Sequence, residues 1–123
     1  TLDRSSAASD VYKRQLIDSA KDYVHRNYRS VDLGLDDTCK ELGVSNSYFS
    51  SLFKKETGSS FVEYLTDYRM DKAARMLVET DDKSYVIAQN VGYADPNYFS
   101  YVFKRKYGVS PSRYRTEYEK NKV

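Results

Sequence analysis

One stretch of this chain is written twice. Residues 48–64 align with residues 98–114 without a gap and share eight identities in seventeen positions: Tyr48/Tyr98, Phe49/Phe99, Ser50/Ser100, Phe53/Phe103, Lys54/Lys104, Gly58/Gly108, Ser60/Ser110 and Tyr64/Tyr114. A repeat of that kind is one supersecondary unit made twice, so the fold must seat two similar units. A doubled unit with a basic, polar outer face suits a partner that repeats along its own length, and duplex DNA is such a polymer.

The 123 residues suffice for one domain or two very small ones, with a modest core and no elaborate catalytic cleft. The net charge of +2 says little, but its distribution says more. Residues 1–45 carry seven basic and eight acidic side chains, whereas 96–115 hold Lys104, Arg105, Lys106, Arg113 and Arg115 and no acid. Such a run favours a polyanionic partner, although a merely solvated charged face fits it too. Cys39 is the only cysteine and His25 the only histidine, which excludes an intramolecular disulfide and disfavours a metal centre or a nucleophile–histidine pair. Cys39 is in helical register with Leu35 and Leu42 and reads as a small buried residue. There is no glycine-rich phosphate loop and no apolar run near the roughly twenty residues that cross a bilayer. The chain therefore reads as a soluble, cytoplasmic protein without cofactor, metal or catalytic residues.

Residues 1–15 are read separately. Ser5 to Gln15 resembles the in-frame translation of a sequencing adapter, so this segment is treated as a non-native leader, and the natural protein is expected to extend upstream.

From Gln15 onward, Leu16, Ala20, Tyr23, Val24 and Tyr28 recur at helical spacing and predict a first helix. Leu35 to Leu42, opened by Asp36 and Asp37 and closed by Gly43, predicts a short second one. Ser45 then caps a third helix whose stripe is Phe49, Leu52 and Phe53 and whose stop is Gly58. Helix, glycine turn, helix is the layout of a helix-turn-helix, assigned to 16–58. Residues 59–80 lack Gly and Pro and predict one long linker helix. The second helix-turn-helix, 81–118, begins at Tyr85–Ala88, turns at Gly92 one residue more slowly than the first, and restarts at the Asp95 cap with Pro96 at the first helical position. Its stripe is Phe99, Val102 and Phe103; Ser110-Pro111 opens a last helix, and 119–123 are expected to fray. The fold class is all-α, with seven helices.

In each copy the helix after the turn keeps a polar face once its stripe is removed. On the first it comprises Asn46, Ser47, Ser50, Ser51, Lys54 and Lys55; on the second, Pro96, Asn97, Ser100, Tyr101, Lys104 and Arg105. Small hydroxyls and amides can approach base edges, and cations one turn later can reach phosphates. A serine-rich face also suits plain soluble surface, but its occurrence in both copies favours recognition. Tyr48 and Tyr98 are assigned to packing, being the same ring beside the same Phe.

The string Ile87-Ala-Gln-Asn-Val-Gly-Tyr-Ala-Asp-Pro-Asn-Tyr-Phe-Ser-Tyr-Val-Phe-Lys-Arg-Lys-Tyr-Gly-Val-Ser-Pro-Ser-Arg-Tyr-Arg115 resembles the signature of the AraC/XylS family of bacterial transcription regulators, and the wider resemblance runs from about Leu16 to Tyr118. The resemblance implies seven helices in two helix-turn-helix subdomains joined by a long helix, with both recognition helices in successive major-groove segments of double-stranded DNA. It also implies an upstream partner domain, either a phosphorylatable receiver of a response regulator or a sugar sensor. Many family members carry Arg where this chain has Ser51 and Tyr101, so base discrimination should lean on Asn97, Ser47, Ser50 and DNA shape. The competing readings are a protein-interaction module, in which the linker helix or the tyrosine-rich surface docks a sensor domain or RNA polymerase, and an enzyme, for which no polar catalytic cluster is in sight.

Overall fold

The structure, a computed structural model, describes residues 2–121, with side chains described from Ser9 onward. Seven helices account for the regular structure of the described residues: α1 (Leu2–Asn27), α2 (Leu35–Leu42), α3 (Asn46–Thr57), α4 (Phe61–Glu79), α5 (Ser84–Asn90), α6 (Pro96–Tyr107) and α7 (Pro111–Asn121). The signals that end them are local. Gly43, Gly58 and Gly108 close α2, α3 and α6 in the left-handed conformation, at φ of 72°, 86° and 81°. Ser45 Oγ accepts the Tyr48 N–H at 3.2 Å and Asp95 Oδ1 the Asn97 N–H at 2.9 Å, so both helices that follow a turn are capped as expected.

Two ends differ from the sequence expectation. α1 starts at Leu2 and not near Gln15, since no Gly or Pro interrupts residues 2–15 and they are rich in residues that tolerate helix. α7 continues through Asn121, so Glu119 to Asn121 are helical; nothing after Pro111 breaks the helix, and Arg113 pairs with Glu117 one turn on at 3.1 Å. The remaining two residues of the expected frayed tail lie outside the described residues.

Contacts divide the chain into two compact units, with α4 giving its first turn through Tyr64 to the first and the remainder from Leu65 to the second. In the first unit, Leu16, Ile17, Ala20 and Val24 of α1, Cys39 of α2 and Phe49, Leu52 and Phe53 of α3 are buried together with Leu33 and Phe61. Burial pushes the Cys39 thiol up from its usual range, with the Asp36 charge adding to it. The core of the second unit joins Met70, Ala73, Ala74 and Leu77 of α4, Ile87 and Ala88 of α5, Val91, and Phe99 and Phe103 of α6. Val102, the third member of the expected stripe, is only partly buried.

The repeat is therefore a repeat of packing. Phe53 meets Tyr64 edge-on with ring centroids 5.5 Å apart, and the aligned Phe103 meets Tyr114 edge-on at 5.4 Å. Ser60 Oγ accepts the Glu63 N–H at 3.1 Å, and the aligned Ser110 Oγ accepts the Arg113 N–H at 3.2 Å. Phe53, Ser60 and Tyr64 thus hold the same jobs in α3–α4 as Phe103, Ser110 and Tyr114 in α6–α7. Among the described residues, no helix is long and apolar enough to cross a membrane, and no group of three or more His, Cys, Asp or Glu could hold a metal ion.

Candidate nucleic-acid interface

Burial of Phe49, Leu52 and Phe53 fixes which way α3 faces, and burial of Phe99 and Phe103 does the same for α6. The opposite side of α3 carries Asn46, Ser47, Ser51, Lys54 and Lys55, all exposed, with Ser50 half-buried at its edge. On α6 the exposed side carries Pro96, Asn97, Tyr101, Lys104 and Arg105, with Ser100 half-buried. Each copy thus brings its sequence-predicted residues onto one helix face: an amide or hydroxyl in the first turn and two cations in the last.

Not all of these side chains are equally available. Asn46 donates its side-chain amide to the Asp36 carboxylate of α2 and so ties α3 back to the helix before the turn. Asn97 has no such tether: its backbone N–H is taken by the Asp95 cap, and its side-chain amide bonds to nothing among the described residues.

The basic run at 104–115 separates into two kinds of residue, a distinction the sequence did not display. Lys106 Nζ lies 2.7 Å from Asp71 Oδ1 and 3.6 Å from Asp67 Oδ1, and donates to the Asp67 carbonyl at 3.3 Å. Arg115 donates from Nε to the Leu77 carbonyl at 2.8 Å and from Nη2 to the Thr80 carbonyl at 3.1 Å, capping the last turn of α4. Arg113 pairs with Glu117. Only Lys104 and Arg105 of that run have neither an acidic partner nor a side-chain hydrogen bond among the described residues, and on α3 the same holds for Lys54 and Lys55. Those four cations stand in the last turns of α3 and α6, where the negative end of the helix dipole favours positive charge.

The assignment of Tyr48 and Tyr98 to packing is corrected. Both are exposed, at 43% and 56%, because each sits one residue before a buried Phe and one residue is about 100° of helix rotation. Tyr98 instead stacks with Tyr101, centroids 6.3 Å apart and planes 25° from parallel. The signal was present in the spacing: 97, 98, 101, 104 and 105 share a helix face that excludes 99 and 103.

The helix-turn-helix domain family matches residues 38–117, most of the chain and both copies of the repeat. The HTH-type transcriptional regulator YtdP of Bacillus subtilis is 35% identical over 91 residues, covering 74% of this chain and 12% of that protein. The lactose operon transcription activator of Staphylococcus xylosus is 36% identical over 80 residues, covering 65% of this chain and 28% of that one. The chain thus spans only a minor part of either relative. Among solved structures, the C-terminal domain of AraT, a response regulator from Geobacillus stearothermophilus, superposes with a TM-score of 0.81 at 39% identity, over 83% of this chain and 84% of that one. With the family matched across both copies and the fold shared with a regulator's C-terminal domain, the chain belongs to the AraC-type helix-turn-helix family of DNA-binding transcription regulators.

Proposed function

We propose that this chain is the sequence-reading part of a bacterial transcription regulator, with α3 and α6 each entering a major-groove segment of duplex DNA. The observation that supports it is the selective freedom of charge: Lys54, Lys55, Lys104 and Arg105 lack acidic partners while Lys106, Arg113 and Arg115 are engaged within the protein. Cations left unpaired at the same place in two copies suit phosphates flanking a groove. In the first turns, the exposed Asn97 and Ser47 would meet base edges, with Ser50, Ser51, Ser100 and Tyr101 along the same faces. Asn46 and Pro96 act at the helix starts, one by bonding to Asp36 and the other by fixing the first turn of α6.

In this reading the chain performs no catalytic step and works in the cytoplasm, where the chromosome is. An upstream sensor or receiver domain supplies the signal, and RNA polymerase is the partner through which bound protein alters transcription. Selection of bound fragments from a random duplex pool, followed by gel shift, tests the reading. Enrichment of a common site is the expected result; a pool from which nothing is retained would overturn it.

A further inference from the structure

Two tyrosine rings stand in water on the helix face assigned above to DNA. Tyr98 and Tyr101 are 56% and 58% exposed, an unfavourable place for large apolar surface unless something covers it. They are not loose. Tyr101 stacks on Tyr98, the Tyr98 ring lies 6.0 Å from that of Tyr93, and Tyr93 is in turn 5.7 Å from the buried Phe99 ring, with the Arg69 guanidinium carbon 5.5 Å from the Tyr93 ring centroid. A chain of ring contacts thus runs from the core of the second unit out to the tip of Tyr101, so little side-chain freedom is left to lose on binding.

The first copy has no counterpart. Ser51 stands where Tyr101 does, the residue after the turn glycine is Val44 in place of Tyr93, and the Tyr48 ring meets no other ring among the described residues. The extra residue in the second turn goes with a platform that only α6 carries.

We propose that Tyr98 and Tyr101 form an aromatic platform that reads the C5 methyl group of thymine in the major groove. The inference rests on the DNA reading above and gives it a base. Thymine alone of the four bases presents a methyl group in that groove, and an aromatic face is an apolar, electron-rich partner for it. Asn97, one turn before Tyr101 on the same face, suits adenine, so α6 reads an A·T-rich box. Lys104 and Arg105, one turn beyond, would hold the phosphates beside it.

The test uses the duplex selected from the random pool, with its thymines replaced one at a time by deoxyuridine, which lacks only the methyl. One or two replacements should weaken binding by about fourfold, the worth of one methyl group removed from water. Tyr101→Ala should bind the thymine and uracil duplexes alike, Tyr98→Ala should narrow the difference because Tyr101 loses its backing ring, and Tyr101→Phe should retain it. Thermal melts of the variants should match the parent, both rings being exposed. A parent protein indifferent to every replacement, while Asn97→Ala still weakens binding, overturns the methyl reading and leaves the DNA reading intact. So does a Tyr101→Ala protein that keeps the preference. A pool from which nothing is enriched overturns both.

Discussion

Arg69 donates from Nη2 to the backbone carbonyl of Ser30 at 2.7 Å, and from Nε to that of Tyr28 at 3.0 Å. It is the one charged side chain among the buried residues described, and burial pulls its guanidinium down from the usual range. Both of these hydrogen bonds go to carbonyls, so the segment after α1 is pinned to α4 by dipoles and not by an ion pair.

Gly92 closes this corner, and its replacement is the sharpest stability test. A Cβ there would lie 2.6 Å from the Tyr28 carbonyl oxygen and 2.7 Å from Arg69 Nη2, at a φ of +93°. At Gly43, φ is also positive but nothing lies within 4 Å. Gly43→Ala should therefore cost about 1–2 kcal/mol of backbone strain, and Gly92→Ala at least about 3 kcal/mol once the clash is added. Urea melts decide it; equal losses would mean that the Arg69 corner does not constrain the turn in solution.

Salt dependence separates the free cations from the engaged ones. If Lys54, Lys55, Lys104, Arg105 and one or two helix N-termini meet phosphates, log K should fall against log salt with a slope of roughly −4 to −5. Lys104→Ala should flatten that slope by about one unit with little change in sequence preference, and Lys106→Ala by less than about half a unit, because Asp71 and Asp67 already hold Lys106. Equal effects of the two substitutions would show that the clasp opens on DNA.

The Lys106–Asp71 clasp also titrates. Burial pushes the Asp71 carboxyl up, but hydrogen bonds from Lys106 and Tyr107 and the Lys106 charge outweigh it, so the net shift is downward. The Tyr107 phenol is pushed up by burial first and then by its 2.7 Å bond to Asp71. A carboxyl lowered on folding contributes stability above its ordinary value near 3.9 and loses it as pH falls through the folded value. The Asp71 side chain is 66% exposed, so parent and Asp71→Asn should differ by less than about 1 kcal/mol at pH 7. That difference should shrink as pH drops below about 4. Urea melts at pH 7 and pH 3 giving the same difference would mean that Asp71 carries no clasp.

What could be read from the sequence is what local chemistry decides. Gly43, Gly58 and Gly108 as stops, Ser45 and Asp95 as caps and the Phe49–Leu52–Phe53 stripe each act within one or two turns, and the structure agrees with them. The start of α1 was missed because residues 1–15 resemble a non-native leader, although no Gly or Pro between residues 2 and 15 stops a helix. The sorting of the basic run was not legible. Lys106 finds Asp71 at a separation of 35 residues and Arg115 finds Leu77 at 38, so adjacent cations in the sequence look alike until the chain has folded. The Tyr98 error arose differently, from taking identity between the copies as evidence of burial when the helix period already placed the ring outside.

The claim that both copies read DNA is tested most directly by footprinting this chain on a duplex it has selected. Two recognition helices in one chain should protect two boxes with centres about one helical turn, roughly 10 bp, apart on the same face of the duplex. Asn97→Ala should weaken the selected site by about 1–3 kcal/mol and random DNA much less, with the loss centred on one box. Protection of a single box, with sequence preference unchanged by Asn97→Ala, would contradict the account.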